Sequence, residues 1–162
     1  MNINNSIHSI SKMNVGLSGE YYLAGELSRR GFIASLTLKN TKGVDIIVTN
    51  QDASKAISIQ VKTNYNKSCS AWILSKNSEA FNRPNMFFAF VRLPKDLFTR
   101  PVYFFVPGNI VASYIQEQHQ KWLNTPGKSG QKHNDTNMRK YIMADDTYRE
   151  NWHLIENHLS VD

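Results

Sequence analysis

The apolar residues of this chain change their spacing in step with its turn signals. Over residues 16–30, Leu17, Tyr21, Ala24 and Leu27 recur every three or four positions before Gly31, which predicts an amphipathic helix with Ser18 as a candidate N-cap. Residues 32–38 read as a short strand ended by turn-prone Asn40 to Gly43, and residues 44–49 as a second, β-branched and apolar. Residues 56–63 alternate, with Ile57, Ile59 and Val61 on one face and Ser58, Gln60 and Lys62 on the other. Trp72 to Leu74 and a short helical segment closed by Pro84 follow. Residues 86–93 are nearly all apolar, as expected of a central strand covered on both faces. Another strand at 102–106 leads into a helix at 110–123. A breaker-rich stretch at 124–137 predicts an exposed loop. Residues 138–143 suit an edge strand. Thr147 is a candidate cap for a last helix carrying Trp152, Ile155 and Leu159. This order predicts one α/β domain over residues 1–162, with a central mixed β-sheet flanked by helices.

Composition narrows the classes. With 162 residues the chain can bury one core, and no apolar run reaches the roughly 18 residues of a membrane span. Residues 1–14 form a polar leader without the apolar stretch of a secretory signal, and the single cysteine, Cys69, excludes an internal disulfide. The cytoplasm is the expected compartment. A net charge of +6, spread without a basic block, favours a polyanionic partner reached through phosphate contacts.

Four polar residues sit where a purely structural reading would not put them. Glu20 is in line with Ala24 and Leu27 on the first helix, and Asp45 opens a strand directly after Gly43-Val44. Gln60 and Lys62 project from the same face of the third strand. If residues 44–49 and 57–63 pair as a hairpin, Asp45 falls beside Gln60 and Lys62. The histidines (His8, His119, His133, His153 and His158) show no tight ligand spacing and read as surface or core-edge residues, although His133 lies in the long loop. Gly127-Lys128-Ser129-Gly130 lacks the glycine spacing and preceding strand of a phosphate-binding loop.

A glutamate on the first helix, an aspartate at a strand start and Gln60-Val61-Lys62 on the next strand resemble the PD-(D/E)XK nuclease superfamily. That superfamily includes restriction endonucleases, Mrr-like enzymes and archaeal Holliday-junction resolvases. The resemblance covers about residues 16–63 and implies a restriction-endonuclease-like core. It implies a metal-dependent endonuclease acting on DNA, with Glu20, Asp45, Gln60 and Lys62 as catalytic residues. Asp45, Gln60, the Val61 carbonyl and Glu20 would hold Mg²⁺ or Mn²⁺, and Lys62 would position the attacking water or neutralise developing charge. Lys42, Thr63, Tyr65 and Lys67 would flank the nucleic acid. Gln60 departs from the superfamily's acidic residue, a substitution found in Mrr-like members, and removes one negative charge from the metal site. The alternative is a catalytically silent member that binds DNA or a protein partner. Cutting both strands with one small site implies a homodimer.

Overall fold

The computed structural model describes residues 10–38, 42–65 and 70–160. Lys67, Cys69 and most of the polar leader therefore lie outside the described residues. The first helix, α1 (Lys12–Arg29), begins a turn earlier than the spacing predicts, because Ser11 rather than Ser18 caps it. The Ser11 hydroxyl accepts the Asn14 amide at 3.1 Å and satisfies one of the amide donors that a helix start leaves unpaired. Its inward stripe also differs from the expected one: Gly19, Leu23 and Leu27 are buried, whereas Tyr21 is 62% exposed. Gly19 is what the apolar pattern could not register, having no side chain to count. A Cβ at Gly19 would collide with the Thr63 hydroxyl, so the helix lies close against the sheet there.

Five strands form the central sheet in the order β1 (Ile33–Leu36), β2 (Ile46–Thr49), β3 (Ala56–Asn64), β5 (Met86–Arg92) and β6 (Val102–Pro107). The first three make an antiparallel meander, β3 and β5 run parallel, and β5 and β6 are antiparallel. The crossover from β3 to β5 carries β4 (Ala71–Ser75) and a 3₁₀ helix (Lys76–Ala80). From Met86 to Val91 every residue of β5 is buried, as a strand with layers on both faces requires.

The alternation of β3 and β5 sorts two cores. Ile57, Ile59 and Val61 join Phe87, Ala89 and Val91 beneath α1 and α3 (His153–Leu159). On the opposite face, Phe88, Phe90 and Phe104 pack with Trp72, Tyr141 and the inward residues of α2 (Gly108–Asn124). Each fully buried Leu or Phe side chain contributes roughly 1.5–3 kcal/mol of transfer free energy, so both layers matter to stability. Trp72 is only 3% exposed and packs at 5.0 Å from the Phe90 ring, which removes it from the surface aromatics.

Two expectations from local pattern are corrected. Residues 138–143 do not extend the central sheet: β7 (Met138–Ile142) pairs with β4 in a separate two-stranded sheet. Thr147 caps no helix; its amide donates to Asp145 Oδ1 within a turn, and α3 starts only at His153. The intervening chain is fixed by Glu150, a positive-φ residue whose carboxylate accepts the Tyr103 amide and the Trp152 indole N–H. The stretch from Thr125 to Asn137 has no helix or strand and is largely exposed. Asp135 ties it back to Lys76 and His119, each at 2.8 Å. Among the described residues no helix is long and apolar enough to cross a membrane.

Candidate active site

The β2–β3 hairpin comes apart at one end, and its polar residues gather there. Ladder pairing stops at Ile46 opposite Ile59, so Asp45, one step further, stands against Gln60. The Asp45 amide still donates to the Ile59 carbonyl at 2.9 Å. Beyond it the Val61 amide finds no backbone acceptor on β2 and donates to Asp45 Oδ2 at 2.7 Å. The carboxylate has replaced a ladder bond and is thereby oriented.

The approach to Asp45 is equally constrained. Gly43 has φ 74° and is pressed against the tip of the Phe81 ring, which a Cβ would strike. The Thr37 hydroxyl donates to the Val44 carbonyl at 2.6 Å, and its amide donates to the Asp45 carbonyl at 2.9 Å. Thr37 thus secures both residues leading into the site. Strand spacing alone did not single it out.

Gln60 and Lys62 stand in register with Phe88 and Phe90, on the face opposite α1. The Gln60 Oε1 is buried without a hydrogen-bond partner. A buried amide oxygen left unsatisfied is costly, and a water, an ion or a ligand group can offset that cost. Lys62 is half-buried and close enough for its ammonium to act on Asp45. Burial raises the Asp45 carboxyl above the ordinary carboxylate value, and the Val61 amide and Lys62 oppose that rise.

Glu20 approaches from α1 and lines the same cleft as Asp45, a space of about 400 Å³ between α1 and the chain around Leu36 to Leu38. Lys12 lines it too, a residue hidden from the sequence reading because the helix was expected to start later. Asp45 therefore adjoins Gln60 and Lys62 along the strands and Glu20 across the cleft. Thr63 is different. Its hydroxyl is buried under Gly19 without a partner, so it packs the helix and offers no surface contact. Lys42 is exposed and Tyr65 half-buried.

The described residues contain no group of three His, Cys, Asp or Glu side chains suited to one metal ion. A cation here would take a mixed set: two carboxylates, an amide oxygen and backbone carbonyl or water. Such hard oxygen donors fit Mg²⁺ or Mn²⁺, and the unpaired Gln60 oxygen beside the Asp45 carboxylate fits a metal better than a closed structural contact. The described histidines lie elsewhere: His119 is buried against Asp135, His133 stacks on Trp122 at 4.1 Å, His153 pairs with Glu156 at 2.9 Å, and His158 packs edge-on to Phe87.

A leading helix, a meander whose second and third strands open at Asp45 and Gln60, a parallel crossover and a closing antiparallel strand make a mixed α/β sheet flanked by helices, the architecture that the resemblance implies. Two solved structures are similar to the chain at 16% identity. A bacterial homing endonuclease aligns over 91% of this chain and 93% of its own, with a TM-score of 0.48. Archaeoglobus fulgidus Hjc, a Holliday junction resolvase, aligns over 78% of this chain and 83% of its own, with a TM-score of 0.45. No protein-family model and no curated protein sequence matches the chain.

Proposed function

We propose that the protein is a cytoplasmic nuclease that hydrolyses DNA phosphodiester bonds with Mg²⁺ or Mn²⁺ at the Asp45–Gln60–Lys62 cluster. The observation that carries this reading is the buried, unpartnered Gln60 oxygen beside a carboxylate already oriented by the Val61 amide. Asp45, Gln60 and the Val61 carbonyl would hold the cation, and Glu20 would supply the second negative charge from across the cleft. A cation held there would supply Lewis-acid polarisation of the scissile phosphate and a more acidic water near neutral pH. Lys62 places its compact ammonium where that water is oriented and where charge grows on the phosphate. Lys42 and Tyr65 flank the substrate, and duplex cutting draws on two copies of the chain.

The test is cleavage of plasmid, single-stranded and branched DNA by the purified chain, with Mg²⁺, Mn²⁺ or EDTA. Asp45→Ala and Lys62→Ala are each expected to slow cleavage by about 10²–10³-fold, the scale of losing one stabilising group. Cleavage that persists in both variants overturns the reading. One observation favours the second reading, a silent DNA-binding module: glutamine stands where the motif has an acid, leaving two carboxylates at the cluster. Salt-sensitive DNA binding without nicking under either ion would select it.

A further inference from the structure

Helix α1 carries three glycines, and close packing explains just one of them. Gly19 is pressed on Thr63, whereas a side chain at Gly16 or Gly25 would meet nothing within 4 Å. Both open glycines line grooves: Gly16 the cleft of Glu20 and Asp45, Gly25 a second space of about 480 Å³ further along the helix. Tyr21 lines both, so the two grooves adjoin at that side chain. The second groove shares Arg100 with a third, of about 210 Å³, where Arg92 and Arg149 also converge. A row of adjoining grooves, together a furrow, thus runs from the cleft past two exposed tyrosines and Arg29 to three arginines.

Its chemistry is specific. Tyr21 and Tyr22 are 62% and 51% exposed, unusual for adjacent large aromatics without a packing role. Three of the arginines pair with carboxylates, Arg29 with Glu26, Arg100 with Glu150 and Arg149 with Asp146, each at 3.2 Å, while the Arg92 guanidinium lies over the Phe104 ring. Each of these three arginine side chains stays half or more exposed, so water screens the pairs and a phosphate can compete for the guanidinium groups. Glu150 in addition accepts from the Tyr103 amide and the Trp152 indole, so it stays hydrogen-bonded if Arg100 turns away. From Tyr21 to Arg29 the helix advances about 12 Å, several times the ~3.4 Å stacked rise of a nucleotide strand.

We propose that this furrow is the track of an unpaired DNA strand leading away from the cleft, with its bases on Tyr21 and Tyr22 and its phosphates on Arg29, Arg100 and Arg149. Exposed tyrosines read base faces, which a duplex keeps in its own stack, so the furrow selects single-stranded or frayed DNA. The proposal rests on the nuclease reading for its substrate and goes beyond it in naming the strand's state and path.

The test measures anisotropy of a labelled 20-nucleotide single strand and of its duplex, in EDTA, so that binding is read without cleavage. Gly25→Glu fills the furrow with a negative side chain while improving the helix, since glutamate outranks glycine and stands four residues before Arg29. It is expected to raise Tm by roughly 2–4 °C and to weaken single-strand binding at least about tenfold. Tyr21→Ala with Tyr22→Ala is expected to cost at least about tenfold for the single strand and little for the duplex. Arg100→Ala with Arg149→Ala is expected to reduce the salt slope for single strands by about 1.4, the share of two phosphate contacts. Variants that bind the single strand like the parent, or a parent that prefers the duplex, overturn the track. If the parent cleaves DNA while these variants bind normally, only the track fails. If furrow variants lose binding but the parent never cleaves, the track stands and the nuclease reading falls.

Discussion

Arg139 and the Asp45–Gln60 pair both bring polar groups under cover, and they are satisfied to opposite degrees. The Arg139 side chain is 2% exposed, and every direction it faces is answered. Its guanidinium meets the Glu79 carboxylate, Asp135 at 3.4 Å, and the Thr136 and Met138 carbonyls at 2.6 and 3.1 Å. Asp45 has one amide donor, and the Gln60 oxygen beside it has none. A buried charge with its full complement of partners fixes a fold; a buried acceptor left short is available to something that arrives from outside. The first arrangement clamps the β4–β7 sheet and the 125–137 stretch, and the second lies where two strands part.

Replacing Arg139 by methionine should have the largest effect on folding. Removing one partner of a buried ionic cluster costs about 3 kcal/mol or more, so thermal unfolding should shift down by roughly 6–12 °C. Asp45→Ala should lower Tm by only about 2–4 °C, the cost of leaving the Val61 amide without its acceptor. Equal losses in both variants would erase the distinction between clamp and site. A smaller effect is expected from Gln60→Glu, which restores an acid to the open cluster. Divalent-ion affinity, read by calorimetry, should rise about tenfold, because a carboxylate binds a hard cation better than an amide does. Unchanged affinity would mean that the Gln60 oxygen faces no ion.

The smallest effect concerns acid. The Lys76 ammonium and then His119 hold Asp135 at a pKa of about 2, below the ~3.9 of a free aspartate. A depressed carboxyl contributes stability that is present above its unfolded value and lost as pH falls through its folded one. Pepsin cleavage within residues 125–137 should therefore rise between about pH 4 and pH 2. In Asp135→Asn the stretch should be cut faster at pH 4 already.

Much of this was readable from periodicity. Ile57, Ile59 and Val61 announce one face of β3, and that same alternation sets Gln60 and Lys62 beside Asp45 once the hairpin is assumed. The β1–β2–β3 meander follows from short connections. What local pattern could not carry is pairing between distant segments. β4 and β7 meet across more than sixty residues, and nothing in MRKYI distinguishes an edge strand from half of a separate sheet. The partnership of Arg139 with Glu79 is equally remote. Negative space was invisible as well. The inward stripe of α1 runs through Gly19, so counting apolar side chains turned the helix toward Tyr21, and the furrow it lines went unseen.

The contact between Gly19 and Thr63 works as a gauge. Glu20 follows Gly19 directly, and Thr63 follows Lys62, so the spacing of helix and strand is set one residue away from both partners of the cluster. A lone hydrogen in place of a methyl group determines how far apart the two banks of the cleft stand. The reach of Glu20 toward Asp45 is therefore a dimension that the sequence can adjust without changing any residue that touches substrate.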